Sequence, residues 1–162
     1  MTNKILFLDR DGVVNMEVGN YVYQPEQFEF VPGLFPFLNK AVELGYVTIL
    51  ITNQGGISKG LYGHDEVEGL NQMIRKEFKK NGIPLLEIYY SPYHPYQTLS
   101  LSRKPDSIML EKALARFGTL PENCVMIGDR ERDMEAAAKV GVKGILVDSN
   151  IDLFKAGIHD QL

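Results

Sequence analysis

The chain has 162 residues, 44% of them hydrophobic, and a formal net charge of -4. That length suits one domain with a real core, spanning 1–162, and the charge offers no basic field to draw it to nucleic acid or a membrane. One cysteine, Cys124, excludes a disulfide framework within the chain, and no apolar run approaches membrane-spanning length.

Ile5-Leu6-Phe7-Leu8 reads as a buried strand of a parallel sheet, and it ends abruptly in Asp9-Arg10-Asp11-Gly12. Val14 to Phe30 carries few periodic signals and reads as an irregular segment beside that strand end. Leu34, Phe37, Leu38, Ala41 and Val42 recur at helical spacing until Gly45. Tyr46 to Ile51 is a second strand, rich in β-branched residues, and it ends in Thr52-Asn53-Gln54-Gly55-Gly56. Val67, Leu70, Met73, Ile74 and Phe78 form one face of a helix closed by Asn81-Gly82. A third strand follows at Leu86 to Tyr90, then a loop from Ser91 to Ser102.

Arg103-Lys104-Pro105 leads into a helix carrying Ile108, Met109, Leu110, Ala113, Leu114 and Phe117, capped by Asp106 or Ser107 and ended by Gly118. Val125 to Ile127 is the fourth strand, followed at once by Gly128-Asp129-Arg130-Glu131-Arg132-Asp133. A helix with Met134, Ala137, Ala138 and Val140 stops at Gly141. Gly144 to Val147 is the fifth strand, and the tail carries a short helix around Asp152 to Ala156. Cys124 reads as a small core residue, and the chain start lacks the pattern of a signal peptide, so a cytoplasmic protein is expected.

Strands alternating with helices predict a Rossmann-like α/β fold: a parallel sheet flanked by helices. In such a sheet the carboxyl ends of the strands share one edge, where ligands bind. Asp9/Asp11, Thr52/Asn53 and Asp129/Asp133 each follow an apolar strand, and Arg103/Lys104 precede a helix. These clusters can converge. Two like-charged acids as close as Asp9 and Asp11 call for a divalent cation or a proton.

Asp9-x-Asp11-Gly12-Val13, Thr52, Lys104 and Gly128-Asp129-x-x-x-Asp133 resemble the four motifs of the haloacid dehalogenase (HAD) superfamily of phosphatases. Asp-Arg-Asp-Gly-Val-Val-Asn, Thr-Asn-Gln-Gly-Gly-Ile-Ser-Lys-Gly and Arg-Lys-Pro are similar to the branch of heptose bisphosphate and histidinol-phosphate phosphatases. The Asn15 region and the Gly56 to Gly60 segment favour the heptose side. The resemblance implies phosphomonoester hydrolysis through an aspartyl-phosphate, with D-glycero-D-manno-heptose 1,7-bisphosphate as the leading substrate. Histidinol phosphate or another small metabolite is the alternative. A catalytically silent binding protein would be expected to lose a core acid, and a receiver-like domain would carry its acid pair differently.

Under that resemblance Asp9 is the nucleophile and Asp11 the general acid and base. Mg²⁺ is held by Asp9, by Asp129 and by the backbone carbonyl of Asp11. Thr52 and Lys104 meet the phosphoryl oxygens, and Asp133 acts from behind the metal ligands. Asn53, Arg103 and Arg130 are the candidate substrate contacts. Each has a plainer reading: Thr52 bonding its own backbone, Asn53 a turn residue, Arg103 a solvated side chain, Asp133 a helix cap. Relatives place Glu17, Gly19 and Asn20 near substrate.

The branch often carries zinc ligands as Cys-x-His and Cys-x-Cys before Arg-Lys-Pro. Here Ser91-Pro92-Tyr93 and Ser100-Leu101-Ser102 stand in their place, with His94 adjacent, so no structural zinc is expected. The spacing between motifs leaves no room for a large cap domain. A monomer acting on a small phosphorylated metabolite is expected, with no heptad seam to suggest an oligomer.

Overall fold

The structure is a computed structural model and describes residues 3–162. Five strands form one parallel sheet: β1 (Lys4–Leu8), β2 (Tyr46–Asn53), β3 (Leu85–Ser91), β4 (Cys124–Gly128) and β5 (Lys143–Leu146). Their order is β3-β2-β1-β4-β5, so the first strand lies at the centre. Four helices connect them: α1 (Leu34–Glu43), α2 (His64–Lys80), α3 (Ile108–Phe117) and α4 (Glu131–Lys139).

The alternation of a strand splits the core into two layers. Leu6 and Leu8 of β1 pack with Leu34, Phe37 and Leu38 of α1 and Ile74 and Phe78 of α2. Ile5 and Phe7 face the other way, onto Met109, Leu110 and Ala113 of α3 and Ala136 and Ala137 of α4. These four residues of β1 are fully buried. Both faces are covered, which is why this strand reads as an unbroken apolar run.

The expected fold class is observed; β1 to β4 run one or two residues beyond the expected limits, and β5 is shifted one residue toward the N-terminus, at Lys143–Leu146. The tail differs. No α-helix forms at Asp152 to Ala156; that stretch is a series of turns, and a 3-10 helix follows at Ile158–Gln161. The Asp152 carboxylate caps one turn by accepting the Lys155 backbone N–H at 2.9 Å, and Gly157, with a left-handed φ of 67°, ends the helical path right after it. Ser107 occupies the position before α3, but its hydroxyl donates to Glu111 at 2.6 Å instead of capping the backbone. Between Asp11 and Thr52 lie one loop, a short 3-10 turn and α1; between Thr52 and Lys104 lie α2, β3 and one loop. No inserted cap interrupts the described residues. No helix among them is long and apolar enough to cross a membrane.

Candidate active site

The edge formed by the strand ends holds a cleft of about 330 Å³, lined by Asp9, Asp11, Asn53, Gln54, Asp129 and Arg130 among others. That volume lies at the small end of ligand pockets. Asp9 follows β1, Asn53 ends β2, and Asp129 follows β4, so three neighbouring strands deliver these groups.

Asp9, Asp129 and Asp133 present carboxylate oxygens all within 4.8 Å of one another. Lys104 enters this cluster from the chain before α3. Its Nζ lies 2.9 Å from Oδ1 of Asp9, 2.6 Å from Oδ1 of Asp133 and 2.7 Å from the Ile51 carbonyl. Burial pushes the Asp9 carboxyl up to about 7; Lys104 opposes the rise and Asp133 adds to it. Burial also works against the Lys104 ammonium, but the two acids outweigh it and raise its pKa.

Asn53 grips the backbone of Lys104 from both sides. Its Oδ1 accepts the Lys104 N–H and its Nδ2 donates to the Lys104 carbonyl, each at 3.0 Å. Asp133 caps α4 by accepting the Arg130 N–H at 3.1 Å, so the capping and the charged role coexist in one side chain. Gly128 is required here: a Cβ would lie 2.3 Å from the Cβ of Asp133. Gly12 turns the chain at φ 91°, and a Cβ there would lie 2.3 Å from Oδ2 of Asp129.

Asp11 stands apart from the acidic cluster, because β1 ends at Leu8 and the chain turns. Its Oδ1 accepts Arg10 at 2.9 Å and Asn15 at 3.0 Å, and its Oδ2 accepts Gln54 at 3.1 Å. Its side chain keeps 23% exposure, against 8% for Asp9, so it can still reach a substrate. Thr52 is buried beneath the cleft, where its hydroxyl accepts Gln54 at 2.9 Å.

Arg130 reaches the cleft and lies 3.6 Å from Oδ2 of Asp129. Arg103 is not among the cleft-lining residues; its guanidinium donates to the Tyr93 carbonyl at 3.1 Å. Burial and the nearby charge of Arg132 lower its pKa. Arg132 itself does line the cleft, and sequence reasoning passed over it. It lies in the polar run after β4, two residues past Arg130, which was the available signal. Gln54 was also passed over, although it continues the polar end of β2. Asn150 gave no signal. Its side chain takes both backbone groups of Glu17, accepting N–H at 2.6 Å and donating to the carbonyl at 2.9 Å. Its own N–H donates to the Gly12 carbonyl at 2.8 Å. Glu17, Gly19 and Asn20 line the cleft on that wall.

Where the branch carries zinc ligands, hydroxyls stand in a chain. Ser91 and Ser100 each lie 2.8 Å from the hydroxyl of Ser102. The His94 backbone N–H donates to Ser58 at 2.8 Å, which ties the same loop to the turn after β2.

Residues 101–156 match the HAD-hydrolase-like family model. The D-glycero-beta-D-manno-heptose-1,7-bisphosphate 7-phosphatase of Helicobacter pylori is 42% identical over 147 residues, covering 90% of this chain and 84% of the relative. The D-glycero-alpha-D-manno-heptose-1,7-bisphosphate 7-phosphatase of Burkholderia mallei is 37% identical over 148 residues, covering 88% of this chain and 78% of the relative. Among solved structures, the D,D-heptose 1,7-bisphosphate phosphatase of B. bronchiseptica, complexed with magnesium and phosphate, superposes with a TM-score of 0.84. It is 25% identical and the match covers 96% of this chain and 86% of that one. Identity at this level over nine-tenths of the chain carries the assignment: the chain belongs to the HAD-like phosphatases, in the family of heptose-1,7-bisphosphate 7-phosphatases.

Proposed function

We propose that the chain is a Mg²⁺-dependent phosphatase of a small sugar bisphosphate, D-glycero-D-manno-heptose 1,7-bisphosphate, and releases inorganic phosphate through an aspartyl-phosphate on Asp9. The observation that carries this reading is the cluster of Asp9, Asp129 and Asp133 within 4.8 Å, with Lys104 buried between two of them. Three acids against one buried ammonium suit a divalent cation. Oδ1 of Asp129 is buried without a hydrogen-bond partner, and the donor set is hard oxygen. Asp9 and Asp129, with the Asp11 carbonyl, would hold Mg²⁺, which supplies charge neutralisation at the phosphoryl group.

The Asp9 carboxylate attacks phosphorus, and the bond from phosphorus to the sugar oxygen breaks. Asp11 gives its proton to that leaving oxygen. Water then attacks the aspartyl-phosphate; Asp11 takes the water proton as the Asp9–phosphorus bond breaks and phosphate leaves. Acid–base help of this kind is worth about 10²–10⁴-fold. Lys104 and the Thr52 hydroxyl donate to phosphoryl oxygens, and Asp133 and Asn53 hold Lys104 in place. Arg130 and Arg132 on the cleft, with Lys59 and Arg103 close by, suit a second anionic group, as a bisphosphate requires. The uncapped cleft suits a small substrate held by short loops. One domain spanning 1–162 supplies every group, and the working form in this reading is a cytoplasmic monomer without structural zinc.

The experiment is phosphate release by purified protein with Mg²⁺ across both heptose 1,7-bisphosphate anomers, histidinol phosphate and hexose phosphates. One heptose anomer is expected to turn over fastest, and EDTA or Asp9→Asn to abolish release. Faster turnover of histidinol phosphate would overturn the substrate; silence on every ester would overturn the activity. Size-exclusion chromatography checks the monomer.

A further inference from the structure

Gln54 is 2% exposed, and no step above uses it. Its Nε2 donates twice, to Oδ2 of Asp11 at 3.1 Å and to Oγ1 of Thr52 at 2.9 Å. Its Oε1 accepts the Tyr62 hydroxyl at 2.8 Å. Turned end for end, the amide would set its oxygen against the Asp11 carboxylate, whereas the Tyr62 hydroxyl can donate to one end or accept from the other. Asp11 therefore fixes which way the amide points, and Tyr62 holds its far end in place.

That orientation selects lone pairs on both of its acceptors. Oδ1 of Asp11 already accepts Arg10 and Asn15, so a proton on this carboxyl belongs on Oδ2. Gln54 occupies one side of Oδ2 and leaves the other for the cleft. The Thr52 oxygen accepts from Gln54, which frees its own hydrogen to be donated. The carbonyl next to it, that of Asn53, lies 3.5 Å away and competes weakly for that hydrogen.

Tyr62 is itself held by the cleft wall. Its ring stacks on Tyr23 at 4.9 Å and 10°, and Tyr21 leans against it at 5.8 Å. Gly56 makes room for it: a Cβ there would lie 2.1 Å from the ring. Tyr21 lines the cleft, and Lys59 sits 5.2 Å from its ring centre.

We propose that Gln54 and Tyr62 are positioning residues that aim the Asp11 proton and the Thr52 hydroxyl at the substrate, and that Tyr62 ties this aim to the aromatic wall at Tyr21 and Tyr23. The inference rests on the acid–base reading of Asp11 given above. It makes a demand that a packing role does not. An acid that is badly aimed matters for a sugar alkoxide, which needs a proton to leave, and little for a nitrophenolate, which does not.

The test compares kcat/KM for heptose 1,7-bisphosphate and for 4-nitrophenyl phosphate in the wild type, Gln54→Met and Tyr62→Phe. This constant covers steps through departure of the first leaving group. Gln54→Met is expected to lose about 100-fold on the sugar ester, the scale of a misplaced catalytic group, and at least about tenfold less on the aryl ester. Tyr62→Phe keeps the ring and its stacking, so it keeps the fold; it is expected to lose about tenfold on the sugar ester because the oxygen end of the amide loses its anchor and the aim loosens. Equal losses on both esters, or none on either, in folded variants would overturn the proposal and leave these side chains as packing. A wild type active on both esters with an unchanged ratio in the variants overturns this inference alone. A wild type silent on both overturns the phosphatase reading and this inference with it.

Discussion

The Nζ of Lys104 lies 2.9 Å from Oδ1 of Asp9, a residue 95 positions earlier in the chain, and both side chains are nearly closed to solvent. The pair is a hinge of the site: it joins the tip of the central strand to the chain entering α3. Lys104→Ala leaves Asp9 and Asp133 buried with no cation between them. Breaking a buried pair in this way costs ~3–5 kcal/mol, so urea unfolding of the metal-free variant should show a loss of that size. Turnover should fall by at least about 10²–10³-fold, the usual cost of one lost donor to a developing anion.

Divalent metal should stabilise the fold through the acids that need it. Mg²⁺ at a hundred times its dissociation constant adds ~2.7 kcal/mol, read as a rise in Tm that EDTA reverses. Asp129→Asn should erase that response, because its Oδ1 is the buried oxygen with no other partner. A variant whose Tm still follows Mg²⁺ would move the metal elsewhere.

Gly128→Ala should damage the site without replacing a charged residue. The added Cβ meets the Asp133 side chain at 2.3 Å and forces α4 away from the end of β4. Overpacking of this kind costs roughly 1–3 kcal/mol by chemical denaturation. Phosphate release should fall further than Tm suggests, because Asp133 holds Lys104.

Acid should expose a contribution far from the cleft. Burial pushes the Glu87 carboxyl up, but the Ile88 backbone N–H and the guanidinium groups of Arg116 and Arg75 outweigh it and hold its pKa below the ordinary 4.5. A depressed carboxylate binds fewer protons folded than unfolded. Its stabilisation is full above that ordinary value and is lost as pH falls through the folded one. The stability gap between wild type and Glu87→Gln should therefore be constant near neutrality and close as the buffer becomes acidic. A gap that widens in acid would reverse the sign argued here.

Much of the site was legible because each acid interrupts an apolar strand. Asp9 and Asp129 stand one residue past buried runs, and the parallel sheet then brings them together. Asp11 was legible by its motif, but not its separation from the acidic cluster, which depends on the chain turning at Leu8. Asn53 reads as a candidate substrate contact and lines the cleft, but that its amide also holds the Lys104 backbone, 51 residues away, no local pattern reveals. Arg103 was likewise read from its place beside Lys104, but its direction is set by the Tyr93 carbonyl in the preceding loop. The tail reads as a short helix because Asp152 caps a turn there, but the left-handed Gly157 stops the path after that single turn.

Asn150 binds both backbone groups of Glu17, 133 residues before it, and reaches the carbonyl of Gly12 as well. A ribosome must therefore extend the chain as far as residue 150 before the first loop of the protein acquires its clasp. The strand that ends at Asp9 can pair with β2 much earlier, and with β4 only once Cys124–Gly128 has been made. Asp9 and Asp129 are thus both in the chain before the loop that walls the cleft can be clasped, and that wall closes only when the last strand of the sheet has also been made.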